Sequence, residues 1–113
     1  MKLILCASFL ALMLTSCANP AVFDVSDLAV ERLKLTSHPG GAKILTGTLV
    51  NHSELDLSVA QIQLTLFDSD NRAISSMSVV ILDVAATDSV AFREAVDTDL
   101  GITGARVKQI LIP

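Results

Sequence analysis

Tryptophan and tyrosine are missing from this 113-residue chain, and phenylalanine occurs only four times. It therefore lacks the broad ring surfaces on which bases or sugars stack. Cysteine occurs twice, at Cys6 and Cys17, so no disulfide framework can staple the remainder of the chain. Lysine and arginine number 8 against 12 acidic residues, a formal charge of −4. The basic residues are scattered from Arg32 to Lys108 with no stripe among them. Nucleic acid is excluded as a partner, because binding it requires such a stripe to displace counterions. Adhesion to anionic lipid by charge alone is excluded on the same ground.

What is present begins with an apolar run. Lys2 supplies a short positive start, Leu3 to Leu14 are almost wholly apolar, and Leu14-Thr15-Ser16-Cys17 closes the segment. A bilayer span needs roughly 20 apolar residues, so the run reads as an export signal. The closing tetrapeptide resembles the lipobox of bacterial lipoproteins: a leucine, two small residues and an obligatory cysteine. The resemblance implies cleavage before Cys17 and three acyl chains on it, which would bind the protein to a lipid membrane. Ala18 after the cysteine resembles cargo sorted to the outer membrane of Gram-negative bacteria, facing the periplasm. An ordinary signal peptidase site at Ser16-Cys17-Ala18, releasing a soluble chain, stays open as the alternative. The expected division is a signal at 1–16, a lipidated cysteine and tether at 17–28, and one domain at 29–113.

Beyond the tether the hydrophobic period is two, with β-branched residues and frequent turn signals. Val30 to Thr36 alternates weakly, and an amphipathic helix over Ser26 to Leu35 competes with a strand there. His38-Pro39-Gly40-Gly41 predicts a hairpin turn. In the next strand, Ala42 to Asn51, Leu45, Gly47 and Leu49 share one face. Leu57 to Asp68 alternates most clearly, with Ala60, Ile62, Leu64 and Leu66 facing inward. Asp68 to Asn71 reads as a turn. Further short strands are predicted over Ala73–Ser78, Val79–Val84, Ser89–Ala95 and Ala105–Ile112. These elements predict an all-β fold: an antiparallel, immunoglobulin-like β-sandwich of six to seven strands after a cleaved N-terminal signal helix.

Gly47-Thr48-Leu49-Val50-Asn51-His52-Ser53, the strand Val59 to Asp68 and the later Phe92 together resemble the FxLYD domain of bacterial exported proteins. Leu64 and Phe67 stand where that family has Phe and Tyr, and Asn71 stands where glycine is usual. The likeness covers roughly Val30 to Ile112 and implies an immunoglobulin-like sandwich outside the cytoplasm, without a catalytic or ligand residue. The chain also resembles, in plan, the small YcfL-type periplasmic lipoproteins. Read from the residues, Asn51 should bond the backbone of the loop after its strand, and Gly47 should permit a bulge or close approach.

No catalytic constellation emerges, and no cofactor or metal is expected. His38 and His52, the two histidines, should sit at opposite ends of one hairpin and cannot share a zinc ion without further ligands. Asp68-Ser69-Asp70-Asn71-Arg72 opens like a calcium loop, then places Arg72 at a ligand position and Ala73 where glycine is needed. Asp97 and Asp99 form a second acidic loop. If Ile62, Leu64 and Leu66 point inward, the opposite face of their strand carries Leu57, Val59 and Phe67. Val59 and Phe67 are thus candidate contacts for a partner, unless a second layer covers them. The expectation is a membrane-anchored, non-enzymatic accessory module for another envelope protein. A purely structural or assembly lipoprotein, or a secreted soluble sandwich, remains the alternative.

Overall fold

The computed structural model describes residues 23–96 and 100–113. The expected signal, Cys17 and the tether as far as residue 22 lie outside the described residues, as do Asp97 and Asp99. A 3-10 turn at Val25–Asp27 leads into six strands: β1 Leu28–Ser37, β2 Lys43–Asn51, β3 Leu57–Phe67, β4 Ala73–Val84, β5 Ser89–Val96 and β6 Gly104–Leu111. They form two three-stranded antiparallel sheets, ordered β1-β2-β5 and β4-β3-β6. First, second and fifth strands in one sheet, third and sixth in the other, is the immunoglobulin-like plan expected.

The contest over residues 26–35 resolves as a strand with one extra residue. Glu31 pairs with Thr48 and Lys34 with Thr46, so Arg32 and Leu33 together face Gly47. Arg32 adopts a left-handed backbone (φ 56°) within this bulge. The helical signal at Ser26 has a local cause: the Asp24 carboxylate accepts the Ser26 N–H at 2.9 Å, capping the single 3-10 turn. Backbone and side-chain hydrogen bonds from Ser26 hold the Asp24 carboxyl below its ordinary pKa. The two short strands expected over 73–84 are one continuous strand.

Alternation places the core. Leu45 and Leu49 of β2 meet Ala60, Ile62, Leu64 and Leu66 of β3, Val79 and Ile81 of β4, and Phe92 and Val96 of β5, all buried. Each leucine or isoleucine so enclosed contributes about 1.5–3 kcal/mol. Gly47 is the close approach its position suggested. Phe92 lies directly across from it, and a Cβ on Gly47 would stand 2.5 Å from the Phe92 Cζ.

Leu57 departs from the expectation that it lies outside, being only 3% exposed. It pairs with Val84, while Val59 pairs with Leu82. Between these pairs Asp83 takes a left-handed backbone (φ 57°), which inverts the pleat of both strands. Leu57 and Ala60, three residues apart, are therefore both buried, as are Ile81 and Val84.

At this end Asn51, fully buried, ties the β2–β3 and β4–β5 loops together. Its Nδ2 donates to the carbonyls of Leu55 (2.8 Å), Val84 (3.3 Å) and Ala85 (3.3 Å). Its Oδ1 accepts the Ser53 backbone N–H at 3.0 Å and lies 2.8 Å from the Ser53 hydroxyl. The Asn51 N–H donates to Asp88 O, His52 N–H to Asp27 O, and Thr87 N–H to Ser53 O. The strand-end role read for Asn51 is met, with partners on both sheets.

Candidate interaction surface

The outer face of the β4-β3-β6 sheet has two unlike ends, because its side chains change character along β3. At one end Phe67 pairs with Ala73 and Gly104. The Arg106 guanidinium lies 4.5 Å above the centre of the Phe67 ring and donates to Asn71 Oδ1 at 2.8 Å. Asn71 can offer that oxygen because it holds the turn in a left-handed conformation (φ 61°). Phe67 is thus half-buried beneath a fixed cation. In the middle, Gln109 Nε2 donates to Gln63 Oε1 at 2.6 Å across the β6–β3 pair.

The other end is apolar and open. Val59 faces Leu82 across β3 and β4, and Gln61 lies between Val80 and Leu111. Val80 is 58% exposed, Leu82 61% and Leu111 37%, while Val59 is half-buried among them. Of the two candidate contacts read from the sequence, Val59 therefore sits in an uncovered apolar patch and Phe67 lies under Arg106. Val80, Leu82 and Leu111 were missed. The signals were the unbroken runs Val79-Val80-Ile81-Leu82 and Ile110-Leu111-Ile112, apolar on both faces of a strand.

The patch reaches a sheet edge that has little to protect it. Residues 75–82 of β4 carry no charged side chain and no proline. The other edges are blunted in the usual ways. β1 carries the Arg32 bulge with Glu31 and Lys34, β5 carries Arg93 and Glu94, and β6 shifts register near Lys108. Only past residue 82 does Asp83 turn the β4 backbone aside.

Of the polar residues weighed in the sequence, those of the Asp68–Arg72 turn bond to one another. His38 and His52 are both exposed, at opposite ends of β2. Asp68 Oδ1 accepts the N–H groups of Asp70 and Arg72, each at 2.9 Å. Its Oδ2 pairs with Arg72 Nε at 3.1 Å, and Asp70 pairs with Arg72 at 3.3 Å. Both carboxylates of the turn thus face the Arg72 guanidinium. Among the described residues no group of three or more histidine, cysteine or acidic side chains could hold a metal ion.

Comparison with known proteins agrees on the architecture. A family model described as "Protein of unknown function (DUF3426)" matches residues 25–100, from the 3-10 turn to the end of the β5–β6 loop's first half. The chain belongs to the DUF3426 family. Gly47, Asn51, Ser53 and Phe92 all lie within the matched residues. Among solved structures, IrmA from Escherichia coli is similar with a TM-score of 0.57 and 10% identity over 74% of each chain. At that identity the likeness concerns the fold alone. No curated protein matches in sequence.

Proposed function

We propose that this DUF3426 chain is a lipid-anchored protein of the bacterial envelope, and that its sandwich is a non-catalytic module docking on another envelope protein. The observation that carries the reading is the exposure of Val80 and Leu82 on the charge-free 75–82 stretch of an edge strand, beside Val59 and Leu111. An edge of this kind accepts a further strand through its free N–H and C=O groups, and alternate side chains supply specificity. The Leu14-Thr15-Ser16-Cys17 signal supports the anchoring. Acyl chains on Cys17 would confine the search for a partner to two dimensions and raise its effective concentration. The likeness of Gly47 to Ser53 to FxLYD domains of exported proteins supports the same placement.

Two outcomes test this. A photo-crosslinking residue at Val80 in living cells is expected to capture one reproducible envelope protein, and the same group at Gln109 far less of it. With the crosslinker kept at position 80, Leu82→Lys should abolish capture while changing stability by less than about 0.5 kcal/mol, since the Leu82 side chain is largely solvated. Equal capture from both positions would overturn the docking surface and favour a structural lipoprotein. Separately, Cys17→Ala should eliminate labelling by an alkynyl fatty acid and leave unprocessed or mislocalised chain. Release of that variant as efficiently as wild type would show a secreted soluble protein instead.

A further inference from the structure

On the far side of the molecule, the outer face of the β1-β2-β5 sheet carries a groove of about 390 Å³. The residues explain its shape. Its floor is Thr46 and Thr48 of β2 with Ala91 of β5, all short, and its walls are Arg32 of β1 and Arg93 of β5. Lys34, Thr46 and Arg93 are directly in register across the three strands. With strands ~4.8 Å apart, the backbones of the β1 and β5 cations stand about 10 Å apart, within reach of one small ligand between their long side chains. The bulge brings Arg32 in beside Lys34, so one threonine is flanked by cations on both sides.

Among the described residues none of these three cations is in an ion pair. The ion pairs of the described residues all belong to Arg72, and Arg32, Lys34 and Arg93 are each exposed. Among the described residues a single carboxylate, Glu31, shares the face, one row away opposite Thr48. Glu94 follows Arg93 in β5 and so points to the other face. This face therefore carries a formal +2 on a chain whose total is −4. Like charges gathered around a depression, in a sequence with few basic residues, concentrate a positive field there.

We propose that this groove binds a phosphoryl group. Guanidinium groups donate from opposite walls and threonine hydroxyls from the floor, so the donors converge from three directions. That arrangement suits a tetrahedral dianion better than a planar carboxylate, which one arginine can satisfy side-on. The left-handed conformation of Arg32 provides a way to separate binding from folding. Glycine adopts that backbone freely, so Arg32→Gly removes a wall of the site while easing the chain at that point.

The test is a titration of the full chain, 15N-labelled in zwitterionic detergent at constant ionic strength, followed by amide chemical shifts. Glycerol 3-phosphate is the soluble probe, phosphatidic acid doped into the micelle is the headgroup probe, and succinate is the planar control. Saturable shifts confined to residues 31–34, 46–48 and 91–93 with either phosphate support the site, and the arm that produces them identifies its source. Arg93→Gln should weaken binding roughly tenfold. Arg32→Gly should weaken it comparably with a Tm no lower than wild type. The proposal is overturned if neither phosphate shifts these residues, if succinate matches them, or if Arg93→Gln binds as wild type does.

Discussion

Asn51→Ala is expected to destabilise the domain by about 3–4 kcal/mol, the largest loss from any single polar truncation in the described residues. The side chain is fully buried and holds carbonyls of Leu55, Val84 and Ala85 together with the Ser53 N–H. Truncation leaves those groups without partners in a place water reaches poorly, at about 1–3 kcal/mol for each that stays unsatisfied, and opens a small cavity. Urea unfolding followed by circular dichroism measures the loss as a lower midpoint at unchanged slope. Asn51→Asp keeps the shape and the Oδ1 acceptor but turns a carboxylate toward carbonyl oxygens. Its folded-state pKa must lie above the unfolded value. The stability that the protonated form retains is then present at low pH and lost as pH rises through the folded pKa. A variant equally stable at acid and neutral pH would contradict the burial of this group.

Gly47→Val is expected to cost about 3 kcal/mol, and Gly47→Ala somewhat less. The Phe92 ring occupies the space a Cβ needs, 2.5 Å from its Cζ, and Phe92 is itself only 8% exposed, with little room to withdraw. Overpacking of this kind typically costs 1–3 kcal/mol, more for a branched side chain. The sharper outcome is the coupling. Phe92→Leu alone leaves a cavity and loses stability, yet in the Gly47→Ala background it removes the clash. The double variant should therefore be more stable than the sum of the two single losses predicts, by about 1 kcal/mol. Strict additivity would mean that the ring and the glycine do not share this space.

These two positions were legible in the sequence because strand chemistry there is local. A glycine inside an alternating strand and an asparagine at its end each have few physical uses, and the fold employs both as their neighbours suggest. The inward row of β3 was equally plain, since four apolar residues at period two leave no choice of face. Legibility fails where the backbone, not the side-chain pattern, decides. The bulge at Arg32 shifts the phase of β1, so its apolar residues fall at 28, 30, 33 and 35. That spacing resembles a helix as much as a strand. Leu57 was placed outside because nothing in its surroundings announces that Asp83, in another strand, inverts the pleat. In β4 an exposed face that is itself apolar erased the alternation and divided one strand into two. The groove over Thr46 depends on β1, β2 and β5 lying side by side, a neighbourhood that sequence order conceals.

If the chain is anchored at Cys17, as proposed, the knot around Asn51 has a mechanical meaning. Five residues lie between Cys17 and Phe23, so the six Cα–Cα steps reach at most about 20 Å. Tension from such an anchor enters at Leu28, passes by the β1–β2 ladder to Asn51, and must leave through β4 if a partner is seated there. No ladder joins the two sheets. The hydrogen bonds from Asn51 to Val84 and Asp88, and from Thr87 to Ser53, make the crossing at the same end of the sandwich. Through these bonds the load path is one strand-end long, while at the opposite end, near the His38–Gly41 and Asp68–Arg72 turns, Lys43 Nζ donating to the Ile102 carbonyl offers a second crossing.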